Sequence, residues 1–312
     1  AKIGEQFIEN VKVLLTPEQM QLWPGFERRL LREKEMHKGL LAGESTDLMA
    51  IIRDMKLDEA IMRNVQPTLD EYDIALDAAL KHRKASMNDT SGDMLRSLAD
   101  QDTQKSLEVL DRQLTARVEI RTVNDTYMIK ISESLPADVG QRFLTTSLDR
   151  SYPRVYRETP IDRLFRAAIE MPDIEPAVRD SVSKVYGSYS GEMAGMNEQL
   201  LTALRNFEPK EQRMRAEAFA ARMSGGQTSP IEDPTRAAFS KRDERGREYV
   251  KQLQSVLTPE QFGRLPGASR FLGTEVAEGT TTPKAVPIKD PKKAKGTGQG
   301  VKNDPDKPDG SN

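Results

Sequence analysis

Few residues of this 312-residue chain have the types and spacing that chemistry needs. It has only two histidines, His37 and His82, which the hydrophobic pattern puts on separate helices, so neither a zinc site nor a Ser-His-Asp arrangement is expected. Cysteine is absent, which excludes disulfides, thiol catalysis and cysteine-zinc sites while fitting either redox compartment. Gly187-Ser-Tyr-Ser-Gly191 has tyrosine where a nucleophile elbow requires serine, and its spacing reads as helix. Gly296-Thr-Gly-Gln-Gly300 lacks both a preceding strand and the Gly-Lys-Ser/Thr ending of a phosphate loop. Asp304, Asp306 and Asp309 begin an acidic run like that of a calcium loop, but Pro308 breaks it and no bidentate Glu follows. The 49 acidic residues offer many carboxylate pairs and single out none as acid and base. No reaction, metal or cofactor is nominated, and the chain is expected to be non-enzymatic.

Charge narrows the partners further. The 47 basic and 49 acidic side chains nearly cancel, so no overall field draws the protein to nucleic acid or an anionic bilayer. No run approaches the ~18 apolar residues of a membrane span. Residue 1 is Ala rather than Met, which suits a mature exported chain and equally a trimmed one. Other proteins remain as the expected partners, bound as unfolded clients, as a fixed helical partner or as a second copy.

The elements expected to carry these residues are helices. Aromatics are 5% and charged residues 31%, the balance of long amphipathic helices with solvated faces. Met62, Val65, Leu69, Tyr72, Leu76 and Leu80 step by three and four along one face. Pro67 and the box Thr68-x-x-Glu71 predict a kink or fresh start there. Asn88, Asp89, Ser91 and Gly92 predict a turn, and a second helix over about 93–134 carries Leu107, Leu110, Leu114, Val118, Val123, Tyr127 and Ile131. The two helices are expected to close as an antiparallel hairpin. Pro136, Pro153, Pro160, Pro172 and Pro176 cut 135–176 into short connecting helices. A third long stripe runs from Ile174 through Val182, Tyr189 and Leu200 to Phe207, followed by separate helices at Lys210–Met223 and from about Thr235. Gly187, Gly191 and Gly195 recur every fourth residue on the long helix. Interior glycines cost about 1 kcal/mol each, so the strip predicts either close approach of another helix or a flexible segment.

The fold class is therefore all-α, with long antiparallel hairpins in an elongated bundle over 1–272 and a subdivision possible near 135–176. Residues 273–312 are rich in Pro, Gly and Lys, with too few large apolar side chains to repay ordering. They are expected to form a disordered, solubilising tail.

One motif occurs twice. Leu15-Thr16-Pro17-Glu18-Gln19 and Leu257-Thr258-Pro259-Glu260-Gln261 are identical, each followed, after three intervening residues, by Trp23-Pro24-Gly25 or Leu265-Pro266-Gly267. Threonine is an N-cap, proline fits the first helical position, glutamate complements the positive helix end and glutamine closes a capping box. Leu15 with Met20, and Leu257 with Phe262, are placed to form hydrophobic staples. Both caps are expected to open short helices that end at the Pro-Gly pairs. Leu135-Pro136-Ala137-Asp138 before Gln141 reads as a degenerate third copy.

The two motifs resemble the Leu-Thr-x-x-Gln signatures of the Spy/CpxP-like periplasmic proteins, through Leu15, Thr16 and Gln19 and through Leu257, Thr258 and Gln261. The resemblance implies export to the envelope, a helical-hairpin cradle that is often dimeric, and nucleotide-independent binding of unfolded clients or a role in stress sensing. The chain is about twice the family's usual length, with its motifs near opposite ends. A structural scaffold with a fixed partner is the alternative reading.

Overall fold

The computed structural model describes residues 2–272, and the expected tail lies outside the described residues. Residues up to Phe271 form one compact unit. Among the described residues there are eleven α-helices and no strand, so the fold is all-α. They are α1 (Lys2–Val13), α2 (Pro17–Glu35), α3 (Leu48–Met55), α4 (Glu59–Ala99), α5 (Thr103–Ser134), α6 (Ala137–Ser151), α7 (Pro153–Tyr156), α8 (Pro160–Ile169), α9 (Pro176–Met223), α10 (Pro234–Val256) and α11 (Pro259–Gly263).

α4 begins where Asp58 accepts the Ile61 amide, runs 41 residues and spans about 60 Å at 1.5 Å per residue. Its stripe residues Val65, Leu69, Tyr72, Leu76 and Leu80 are buried against Ile120, Met128 and Ile131 of α5 and against α3 and α6. Cross-helix pairs fix the antiparallel sense. Glu71 meets Lys130, Tyr72 meets Asn124, His82 meets Glu119, Thr90 meets Gln113 and Ser97 meets Ser106.

The hairpin is present, but its turn is not at Asn88–Gly92. α4 passes straight through that segment, and the chain reverses at Asp100–Asp102, with Gln101 left-handed at φ 56 and Asp102 capping α5. The turn-forming side chains are absorbed into the helix: Thr90 and Ser91 hydroxyls donate back to the carbonyls of Ser86 and Asn88. Three prolines behave likewise. Pro67 lies inside α4, Pro209 joins the expected 210–223 helix to α9, and Pro24 lies inside α2, which continues to Glu35. In each case buried or ion-paired residues on both sides hold the helix across one missing donor: Val65 and Leu69, Phe207 and Arg213, Trp23 and Arg28. The other prolines act as expected. Pro153, Pro160, Pro176, Pro234 and Pro259 occupy first turns, and Pro136 sits at an N-cap.

α9 and α10 form a second antiparallel hairpin. Arg245 and Tyr249 both reach Glu192, Arg242 donates to Asn197 at 3.0 Å, and with α8 and α11 they enclose a core of Phe165, Val182, Tyr189, Val250, Leu253 and Phe262. A smaller cluster of Tyr152, Val155, Leu200, Leu201 and Leu204 joins the 135–176 connector to α9.

Candidate functional site

Both capping boxes form in full. Gln19 and Gln261 each accept the threonine amide through their side chain and donate their own amide back to the threonine hydroxyl. The copies differ in what lies beneath them. Leu257, Phe262, Leu265 and Ala268 are all buried in the α8–α10 core, whereas at the matching positions only Trp23 is buried, Leu15 is half-covered, and Met20 and Phe26 are exposed. The second staple is closed; the first is open. The motifs also stand in different places, α2 on α4 and α11 in the second hairpin's core, so the fold does not join them into one cradle. The third copy has no side-chain cap, because Pro136 occupies its N-cap.

The glycine strip does not pack within the chain. Gly187, Gly191 and Gly195 lie on the exposed face of α9, and a Cβ on any of them would meet no other atom within 4 Å. Close backbone approach occurs instead at Gly140 of α6, where a Cβ would collide with the carbonyl oxygen of Ser132 in α5; at Gly246 of α10 a Cβ would meet the end of the Ile161 side chain.

The densest polar constellation was not anticipated from sequence. Glu44, in the loop between α2 and α3, has no solvent exposure. Its carboxylate accepts Arg83 Nη1 at 2.7 Å, Arg117 Nη1 at 2.9 Å and the amides of Leu40 and Leu41 at 2.7 and 3.1 Å. Asp73 on α4 is clasped by Arg28 and Arg32 of α2, and Arg32 also meets Asp47. Glu35 is affected in two directions: burial raises its carboxyl pKa, while Lys38 and Arg83 lower it by more. On the other side of the loop Glu208 of α9 accepts the Ala42 amide at 3.1 Å and Arg121 at 3.2 Å. Here burial prevails over those two partners, and the Glu208 pKa is raised. Gly43, at φ +81, lets the loop press on Tyr152, whose hydroxyl donates to Asp125 at 2.7 Å and accepts from Arg205 at 3.1 Å.

This network has the chemistry of a clamp. Each buried carboxylate faces arginines or amides that occupy its oxygens, so these groups are committed to holding the loop against α4, α5 and α9. Beside the loop lies a cleft of about 550 Å³ lined by Gly39, Ser45, Arg150, Tyr152, Arg154 and Leu204. Its one carboxylate, Asp47, is occupied by Arg32 and by the Ala50 amide that it caps. Among the described residues no group of three or more His, Cys, Asp or Glu could hold a metal ion. His82 and Glu119 form an exposed pair across the hairpin, and His37 is exposed on the turn after α2. No described helix is long and apolar enough to cross a membrane.

A second surface lies at the hairpin tip. α9 runs antiparallel to α5, with Arg205 at Asp125, Arg121 at Glu208 and Arg213 at Asp111, so the end of α9 reaches the level of the α4–α5 turn. α10 begins well short of it, since Phe239 already packs on Leu200, Leu201 and Leu204, and the last turns of α9 project as an overhang. Leu95 and Leu98 of α4, and Phe219 and Met223 of α9, are exposed there by 71, 58, 62 and 74%. The hairpin beneath is held by hydroxyl and amide pairs, Thr90 with Gln113 and Ser97 with Ser106 at 2.8 Å. The sequence signal was available, because all four apolar residues fall off the buried stripes. No protein-family profile, curated protein or solved structure matches the chain.

Proposed function

We propose that the protein is a non-enzymatic binder of other polypeptides, working without nucleotide or metal, and that it holds them at the end of the bundle formed by the α4–α5 turn and the α9 overhang. The observation that supports this reading is the exposure of Leu95, Leu98, Phe219 and Met223 on two helices ending at one level. Large apolar side chains exposed at one end of a bundle mark contact surfaces for segments that would bury them, and two separate prongs suit an extended or partly unfolded chain better than a small ligand. The Leu-Thr-x-x-Gln resemblance points the same way, and the envelope location it implies belongs to the same proposal.

The reading is tested with a heat-unfolding reporter enzyme, in nucleotide-free buffer, at near-equal molar ratios. The chain is expected to suppress light scattering, and a variant with all four residues changed to serine is expected to lose most of that suppression while keeping its helical circular dichroism. Absence of suppression by the unaltered chain would overturn it.

A further inference from the structure

An interior proline withdraws one helical donor, and the carbonyl four residues before it is left without a partner. Pro24, Pro67 and Pro209 free the carbonyls of Met20, Arg63 and Arg205 in this way. Met20 and Arg63 are exposed residues, where water satisfies the carbonyl. Arg205 is half-buried, and its carbonyl is met from another helix: Arg121 of α5 donates to it through Nη2 at 2.9 Å. The same guanidinium donates through Nη1 to Glu208, the residue before the proline, at 3.2 Å. Arg121 is 5% exposed, so its donors are held by these acceptors rather than by solvent.

The proline stands at a boundary in α9. Before it, Leu200, Leu201, Leu204 and Phe207 are buried, and the Arg205 side chain reaches Tyr152 and Asp125. After Phe207 no residue of the helix is buried. The next tie is Arg213 to Asp111, a half-exposed ion pair of a kind that holds little on its own. Residues 210–223 are therefore an arm, about 20 Å long at 1.5 Å per residue, that carries Phe219 and Met223. Prolines are where helices kink, and a bend of about 20° there would shift the end of the arm by about 7 Å.

We propose that Arg121 is a positioning residue for the binding end: it supplies the Arg205 carbonyl with the donor that Pro209 lacks, and so fixes the angle of the arm. Held in line, the arm keeps Phe219 and Met223 at the level of Leu95 and Leu98. Released, it swings about Pro209, and the two apolar prongs no longer stand at one level. The catch is the carbonyl bond rather than the ion pair with Glu208, because the carbonyl is the group that lost its helical partner. What the prongs hold rests on the proposed function; the angle of the arm does not.

The chain has no cysteine, so spin labels sit only where cysteines are introduced. With labels on A99C/R222C, both exposed and one on each prong, the otherwise unaltered chain is expected to give one narrow distance distribution. R121M is expected to broaden it or shift it by several ångströms. The pair A99C/T202C, which ends before the proline, is expected to keep its distance in R121M, and this separates a swinging arm from unfolding. P209A restores the helical donor, so R121M/P209A is expected to return to the narrow distribution. E208Q leaves the carbonyl bond in place and is expected to match the unaltered chain. In the light-scattering assay R121M is expected to lose suppression and R121M/P209A to regain it. An unaltered chain without suppression would overturn the proposed function and leave the distances to decide this inference. A narrow, unshifted distribution in R121M, a broad one in R121M/P209A or in E208Q, or full suppression by R121M with its arm displaced would overturn it.

Discussion

The Arg83 guanidinium lies 2.7 Å from the Glu44 carboxylate, with both side chains sealed from solvent and 39 residues apart in sequence. Their pairing pins the loop before α3 to the middle of α4, and Arg117 extends the pin to α5. Removing one partner of such a pair leaves a buried charge uncompensated. E44A is therefore expected to lose about 3–5 kcal/mol in a denaturant titration. R83M is expected to lose a similar amount, and the double variant E44A/R83M less than the sum of the two, because neither member of the pair is then left facing an empty place. Strict additivity in that cycle would contradict a direct coupling.

The glycines divide by what a methyl group would meet. At Gly187, Gly191 and Gly195 it meets open space in the middle of α9, so each change to alanine is expected to stabilise by about 0.5–1 kcal/mol through the lower entropy of the unfolded chain. G140A should act in the opposite sense, since its methyl group would collide with the backbone carbonyl oxygen of Ser132 on α5. Thermal midpoints of the four variants, ordered with G140A below the parent and the other three above it, are the expected result.

The twin caps give an internal control. T16A and T258A each lose one complete capping box and are expected to cost about 1 kcal/mol apiece. The staple residues should differ widely. Phe262 is 2% exposed and F262A is expected to cost about 3–5 kcal/mol, whereas Met20 is 41% exposed and M20A should cost well under 1 kcal/mol. Similar losses from the two staple variants would show that the first staple is closed in solution.

Much of this architecture is legible in the sequence. The stripes from Met62 and from Ile174, the hairpin pairing and both capping boxes follow from spacing and cap chemistry alone, because helix faces and caps are local. The misplaced features each depend on something non-local. Asn88–Gly92 has turn composition, yet its hydroxyls are satisfied by the preceding turn of α4, and Gln113 reaches across to Thr90. Pro24, Pro67 and Pro209 read as breaks because a missing donor is a local cost, while the packing that outweighs it comes from other helices. The Glu44 network was hidden for the same reason, although one cue was present. Arg83 continues the stripe of Tyr72, Leu76 and Leu80 by one further step of three, and Asn124 stands on the buried face of α5 between Ile120 and Met128. A charged or amide side chain at a core position implies a buried partner, even where spacing cannot name it.

Glu208 supplies the pH dependence. Its folded pKa is raised above the ordinary glutamate value of 4.5, chiefly by burial, with the Ala42 amide and Arg121 opposing that rise. A carboxyl raised in this way binds its proton more tightly when folded than when unfolded. Its contribution to stability is therefore fully present below the unfolded value and falls away as pH rises through the window beginning at 4.5. Glu35 runs the other way, since Lys38 and Arg83 hold its folded pKa low, and its contribution is lost as pH falls through that depressed value. E208Q removes the first titration and leaves the second. The stability of the unaltered chain relative to E208Q is thus expected to decline from pH 4.5 upward and then level off, as read from paired denaturant midpoints. A flat difference across that window would show that Glu208 keeps its ordinary pKa, and a rising one would show that its pairing with Arg121 prevails over burial.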